Sequence, residues 1–259
     1  METCIYSVGF ASLTMSIRVL QPFSSASTMI CMHSADSDIP LHRFRDRQSA
    51  GRELARVLGK MKLSGQLLVL GVPRGGVPVA FEVAQALGAP LDVMVVRKIG
   101  APSQPELAIG AVASGGIVVH EPEAVSYLAI SEALFQRLLQ HERVELERRE
   151  RAYRADRPVL QLHGRTVILV DDGLATGTTM LAAVRATRSG GAASVIVAAP
   201  VASNEAVALL RPAADRLLVL QTPPHFFAVG EWYDHFEQTS DEEVQTLLED
   251  SHVQPSGTA

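Results

Sequence analysis

Val167-Ile168-Leu169-Val170-Asp171-Asp172-Gly173-Leu174-Ala175-Thr176-Gly177-Thr178-Thr179 is the stretch on which the fold turns. Four apolar residues read as a buried strand, two aspartates sit where that strand leaves the sheet, and a loop of small residues opens a helix. The first turn of a helix carries backbone N–H groups with no partner inside the helix, which suits a phosphate. Gly177 lets the backbone approach closely, and the hydroxyls of Thr176, Thr178 and Thr179 add donors. Two adjacent carboxylates just upstream can accept from two neighbouring sugar hydroxyls. The spacing therefore fits a ribose 5-phosphate, with the phosphate in the loop and the diol on the acids. On spacing alone, the same residues also suit an ordinary strand–loop–helix capped by Asp172. The stretch lacks the Gly-Lys-Ser/Thr ending of a Walker loop and the three spaced glycines of a dinucleotide fingerprint.

Short apolar runs alternate with helical patterns on both sides of this segment. Asp46 caps a helix reaching about Met61, with Leu54, Val57, Leu58 and Met61 on one stripe. Gln66 to Val72 is an apolar run broken by Pro73-Arg74-Gly75-Gly76, and Val77 to Leu87 is a helix ended by Gly88. Leu91 to Val96 is a second run, followed by Arg97-Lys98. Gly100 to Pro105 is too rich in glycine and proline for a regular element. Leu107 to Val112 and Ile117 to Val119 read as strands around Ser114-Gly115-Gly116. Ser131 to Arg154 is a long charged helix with a narrow apolar seam and a solvated face, including Glu147 with Arg151. Beyond Pro158 the pattern predicts strands at Thr166–Val170, Ala193–Ala199 and Leu217–Leu220, and helices at Thr178–Ser189 and Asn204–Leu210. Alternation of this kind indicates βαβ units: an α/β, doubly wound parallel sheet with ligands beyond the carboxyl ends of its strands.

Composition agrees. The chain has 259 residues, 47% hydrophobic and only 5% aromatic, mostly Ala, Val and Leu, as parallel strands under helices require. A net charge of −5 argues against a nucleic-acid partner. No apolar run approaches the roughly 18 residues of a membrane span. The two cysteines, Cys4 and Cys31, make no disulfide framework, and a reducing, cytoplasmic setting is expected. Residues 1–40, rich in Ser, Thr and Met, read as a disordered leader or a start assigned too far upstream, with Met29 or Met32 as alternative starts. The leader is therefore set apart from the fold. Residues 41–250 form the domain, and 251–259 a disordered tail.

The Val167–Thr179 stretch resembles the phosphoribosyl-pyrophosphate signature of the type I phosphoribosyltransferases: four apolar residues, two acids, three variable positions and Thr-Gly-x-Thr. Val-Pro-Arg-Gly-Gly-Val-Pro-Val-Ala, Arg-Lys-Ile-Gly-Ala-Pro and Glu-Leu-Ala-Ile-Gly-Ala-Val-Ala are similar to segments of predicted bacterial members of uncertain substrate. The resemblance covers roughly residues 44–250. It implies that Asp171 and Asp172 hold the ribose hydroxyls and that Ala175, Thr176, Gly177, Thr178 and Thr179 wrap the 5-phosphate. It places Pro73-Arg74-Gly75-Gly76 at the pyrophosphate loop, often a strained peptide in this family, with Arg74 pairing the anion and Gly75 tolerating unusual dihedrals. An ordinary Pro-Gly turn fits the same residues. Arg97 and Lys98 would precede a mobile loop from Ile99 to about Leu107 that closes over the reacting centre. A long helical insertion, about 122–157, and a small C-terminal hood, about 221–239, complete the expected domain. Phe226 and Trp232 of the hood are the candidates to stack on a base, although a capping hydrophobic cluster would use the same residues. Ala175 stands where many 6-oxopurine enzymes have an acid, which argues against a hypoxanthine–guanine enzyme of the usual kind.

The activity this implies is transfer of the 5-phosphoribosyl group from phosphoribosyl pyrophosphate to a nitrogenous base, with pyrophosphate released. Asp171, Asp172, Arg74 and Lys98 would be the catalytic groups. Mg²⁺ is expected to be held mainly by substrate oxygens and water, with no direct protein ligand. His225 and His235 have no companion at ligand spacing. Expected partners are small molecules, with a homodimer common in similar proteins. The alternatives are a non-catalytic phosphoribosyl-pyrophosphate sensor and an aspartate-based hydrolase. A mobile loop and a hood favour the enzyme over the first. The Thr-Gly-Thr-Thr continuation does not resemble the loop of the second.

Overall fold

The computed structural model describes residues 28–33, 41–102, 104–155 and 157–251. Its main sheet has six strands: β1 (Thr28–His33), β2 (Leu67–Gly71), β3 (Leu91–Val93), β7 (Thr166–Val170), β8 (Ser194–Val201) and β9 (Arg216–Gln221). All pair in parallel, in the order β1-β9-β8-β7-β2-β3. A second, antiparallel sheet contains β4 (Val96–Ala101), β5 (Gln104–Ala113) and β6 (Ile117–His120). The helices are α1 (Arg47–Leu58), α2 (Gly76–Leu87), α3 (Pro122–Tyr127), α4 (Glu132–Arg154), α5 (Thr178–Ser189), α6 (Asn204–Leu210) and α7 (Asp241–Asp250).

Side chains alternate across the main sheet because the strand period is two. Val69, Ile168, Val170, Ile196 and Leu218 pack with α1, α2, α4 and α7 on one face. Leu68, Leu70, Val167, Leu169, Val197 and Val219 pack with α5 and α6 on the other. Both faces are covered, so every residue of β7 is buried and Val167 to Val170 reads as an unbroken apolar run. The sheet is doubly wound, as expected. From β2 the chain steps outward to β3, and from β7 it steps the opposite way through β8 and β9. The strand order reverses between β2 and β7, so the loops leaving these neighbours open a crevice at their carboxyl ends.

Local signals fix the helix ends. Asp46 accepts from Ser49 N at 2.7 Å, and Ser49 Oγ receives Asp46 N–H in a reciprocal capping box. Gly88 ends α2 in the left-handed region at φ 58°. Ser131, Ser203 and Ser240 each cap a helix through the side-chain oxygen. Among the described residues no helix is long and apolar enough to cross a membrane.

Three features depart from the sequence reading. The stretch set aside as a leader contributes β1, which among the described residues is an edge strand paired with β9 alone. The rest of residues 1–40 and the tail from 252 lie outside the described residues. The glycine and proline content of Gly100 to Pro105 predicts an irregular segment, yet β4 and β5 pair across it. The ladder shifts register between Ile99 and Ala101, and Pro105 falls in the gap between Gln104 and Ala108, where no ladder partner needs its missing N–H. The insertion carries α3 as well as α4, and α7 follows the hood; the sequence pattern marks neither α3 nor α7.

Candidate active site

The crevice at the strand reversal gathers two loops. Residues 72–76 leave β2 and residues 171–177 leave β7. They touch so closely that a Cβ on Gly75 would stand 2.7 Å from Asp172 Cγ, and one on Gly76 would stand 2.6 Å from Val170 O. Only glycine fits at either position. The Pro73–Arg74 peptide is cis.

Asp171 and Asp172 form the floor. Asp171 Oδ1 accepts from Asp172 N at 2.9 Å. Enclosure by the surrounding protein, and next the charge of Asp172, hold the Asp171 carboxyl well above its usual range. Asp172 is engaged by Arg47, whose Nε donates to Oδ2 at 2.8 Å; each of the two side chains is only 13% exposed. Tyr233 Oη donates to the Asp172 carbonyl at 2.6 Å, and burial pushes its phenol upward.

Beyond the acids, Ala175 and Thr176 before α5 and Thr178 and Thr179 at its start are exposed, and Gly177 is buried beneath them. Gly177 sits at φ 72°, where a Cβ would press on Ala206 at 3.2 Å, and supplies no side-chain cap. Thr178 N, the first backbone donor of α5, reaches Thr176 Oγ1 at a long 3.5 Å, and the hydroxyls of Thr176 and Thr178 lie 3.2 Å apart. Ser203 Oγ donates to Ala175 O and braces the loop from α6.

The other expected residues divide. Lys98 is exposed and lines a cavity of about 390 Å³ that it shares with Thr178. Arg97, its neighbour on β4, pairs instead with Glu142 of α4 at 2.8 Å. Arg74 approaches Asp241 of α7 at 3.4 Å, and the same Asp241 oxygen accepts from Tyr153 Oη at 3.1 Å.

In the hood, a 3₁₀ turn at Val229–Trp232 lies over Gly173, where a Cβ would meet Val229 Cγ2 at 2.8 Å. Phe226 and Trp232 are both half-buried, and Trp232 packs on the α1/α2 core, while Phe227 is 83% exposed. The hood is stitched to the start of the domain: Phe44 N donates to Trp232 O at 2.8 Å, and Asp234 N donates to Phe44 O at 2.9 Å.

Sequence reasoning missed Arg47, Tyr233 and Asp241. The helix-capping signal at Asp46 marks where α1 begins, but no sequence spacing links Arg47 to an acid 125 positions away.

A strand-reversal crevice with paired acids, a glycine-tight loop and a helix start beside them defines a doubly wound α/β protein. The phosphoribosyl transferase domain model matches residues 45–234. Two proteins of Mycobacterium tuberculosis, "Putative phosphoribosyl transferase MT0597" from strain CDC 1551 / Oshkosh and "Putative phosphoribosyl transferase Rv0571c" from strain ATCC 25618 / H37Rv, are each 46% identical over 210 residues. That alignment covers 81% of this chain and 47% of each relative, so the chain spans about half the length of the curated relatives it matches. The crystal structure of TT1426 from Thermus thermophilus is 45% identical with a TM-score of 0.75, covering 80% of this chain and 98% of that one. The chain belongs to the phosphoribosyl transferase domain family.

Proposed function

We propose that this protein transfers the 5-phosphoribosyl group of phosphoribosyl pyrophosphate to a nitrogenous base and releases pyrophosphate, as a cytoplasmic step of nucleotide salvage. The observation that carries this reading is the packing of Gly75 against Asp172. It sets the loop suited to pyrophosphate beside the acids suited to the ribose, with the phosphate-type helix start of α5 following within the same loop. A sugar carrying phosphates at both ends fits that order of groups.

Bond breaking at the anomeric carbon leaves positive charge on the sugar and negative charge on the departing pyrophosphate. Asp171 and Asp172 are the carboxyl groups proposed to offset the first, and Lys98 and Arg74, the latter once released from Asp241, are the cations proposed to receive the second. Mg²⁺ fits as a cation carried in by the substrate. The acids here are two, one already paired with Arg47, and among the described residues no group of three or more His, Cys, Asp or Glu could hold a metal. Bound there, the metal would neutralise pyrophosphate oxygens.

The test is pyrophosphate release from phosphoribosyl pyrophosphate across a panel of purine and pyrimidine bases. Release that depends on one base, and that disappears when Asp171 and Asp172 are both changed to Asn, supports the transferase and names its acceptor. Binding of the sugar phosphate without release for any base points instead to a sensor.

A further inference from the structure

The guanidinium standing between the pyrophosphate loop and the ribose acids belongs to Arg47 rather than Arg74. Arg47 opens α1 directly after the Asp46 cap. Its Nε donates to Asp172 Oδ2 at 2.8 Å, its Nη1 donates to Glu237 O at 2.6 Å, and its Cζ lies 3.9 Å from the centroid of the Phe236 ring. A Cβ on Gly75 would come within 3.2 Å of Arg47 Nε, so the guanidinium lies against both loops at once. Arg74, by contrast, is 34% exposed and turned to Asp241.

Chemistry decides what that position does. Arginine stays charged and presents a planar fork of five donors that matches phosphate oxygens. With no ligand, Asp172 is the anion within reach. A pyrophosphate beside Gly75 would place a second, more highly charged acceptor against the same fork. Ribose 5-phosphate brings no anion to that loop. To reach Asp172 Oδ2 it must displace Arg47 without offering the guanidinium anything in return.

We propose that Arg47 is a specificity-determining residue that selects sugars bearing a pyrophosphate. It neutralises Asp172 in the free protein, turns to the pyrophosphate when one sits at Gly75, and so leaves Asp172 to the ribose hydroxyls. This rests on the sugar-pyrophosphate reading of the site. It also predicts an optical signal. Phe236, under the Arg47 guanidinium, stacks on Tyr233 at 5.0 Å, next to Trp232, the only tryptophan of the chain. Movement of Arg47 is therefore felt beside a fluorophore.

Calorimetric titrations of the full chain with phosphoribosyl pyrophosphate, inorganic pyrophosphate and ribose 5-phosphate, each with magnesium, test this in wild type, Arg47→Ala and Arg47→Lys. Arg47→Ala is expected to weaken both pyrophosphate-bearing ligands at least about tenfold and to leave ribose 5-phosphate unchanged or tighter. Arg47→Lys, which keeps the charge but loses the fork, should fall between. The tryptophan response to phosphoribosyl pyrophosphate should shrink in the same order. If Arg47→Ala does not fold, the Lys variant decides by the same comparison. Equal weakening of all three ligands would reduce Arg47 to a structural support of Asp172 and overturn the proposal. So would unchanged affinity for phosphoribosyl pyrophosphate. A wild-type protein that binds none of the three overturns the transferase reading itself, and the role of Arg47 with it.

Discussion

Gly75 and Asp172 fill one another's space. A Cβ on residue 75 would stand 2.7 Å from Asp172 Cγ, so the loop after β2 and the acid after β7 hold their positions only while residue 75 is glycine. Replacement by alanine must move the carboxylate or the loop. Gly75→Ala is expected to cost about 1–3 kcal/mol of stability, the usual range for overpacking, and to abolish sugar-phosphate binding. Denaturant unfolding and ligand titration read the two effects. A variant with wild-type stability and affinity would show that the loops are not locked together.

Asp171 opposes stability in its charged form. Its carboxyl is raised well above its ordinary range by burial and then by the charge of Asp172. A group with a raised folded-state pKa contributes stability below its unfolded value, and that stability is lost as pH rises through the folded value. Asp171→Asn keeps the oxygen that accepts from Asp172 N but cannot ionise. The variant should melt above wild type at about pH 8, with the difference shrinking as pH falls toward the ordinary carboxylate range. It should bind sugar phosphate far more weakly. A melting difference independent of pH would contradict this.

Arg154 shows what the charge pattern of the long helix concealed. It is 8% exposed, and its Nε and Nη2 each meet an Asp92 oxygen at 2.9 Å, with Pro158 O taking a further bond. Removing the acid strands a buried guanidinium. Asp92→Ala is expected to cost about 3–5 kcal/mol, read by chemical denaturation, while a surface pair would cost at most about 1 kcal/mol.

Arg97 and Lys98 are neighbours with different surroundings. Arg97 is paired with Glu142, whereas Lys98 is exposed toward Thr178. Arg97→Ala should lower stability by about 1 kcal/mol and leave ligand affinity nearly unchanged. Lys98→Ala should do the reverse. Titration of both variants with phosphoribosyl pyrophosphate separates them, and an equal loss of affinity would return Arg97 to the ligand site.

The parallel sheet and the phosphate-type loop are legible in the sequence because their signals are local. An apolar run, paired acids and a glycine before threonines lie within thirteen consecutive residues, and the predicted limits of β7, α5 and α6 agree with the structure residue for residue. The β4–β5 pairing is hidden because Gly100, Pro102 and Pro105 break the pattern, while the structure absorbs Gly100 and Pro105 in register shifts and places Pro102 in the turn. Edge strand β1, inside the stretch set aside as a leader, lacks flanking periodicity to mark it. Arg47, Tyr233 and Asp241 are invisible for another reason. Their partners Asp172 and Arg74 are 61 to 167 positions away, and only the folded chain brings them together.

If Asp171 and Asp172 hold the ribose of a sugar phosphate in the crevice between β2 and β7, the affinity of phosphoribosyl pyrophosphate depends on their carboxyl groups. The most direct test compares that affinity for the wild-type protein and for the variant with both residues changed to Asn, measured by calorimetry on chains shown to be folded. The expected result is binding by wild type and none by the double variant, with cooperative unfolding retained. Undiminished affinity in the folded double variant would place the sugar elsewhere and contradict the account.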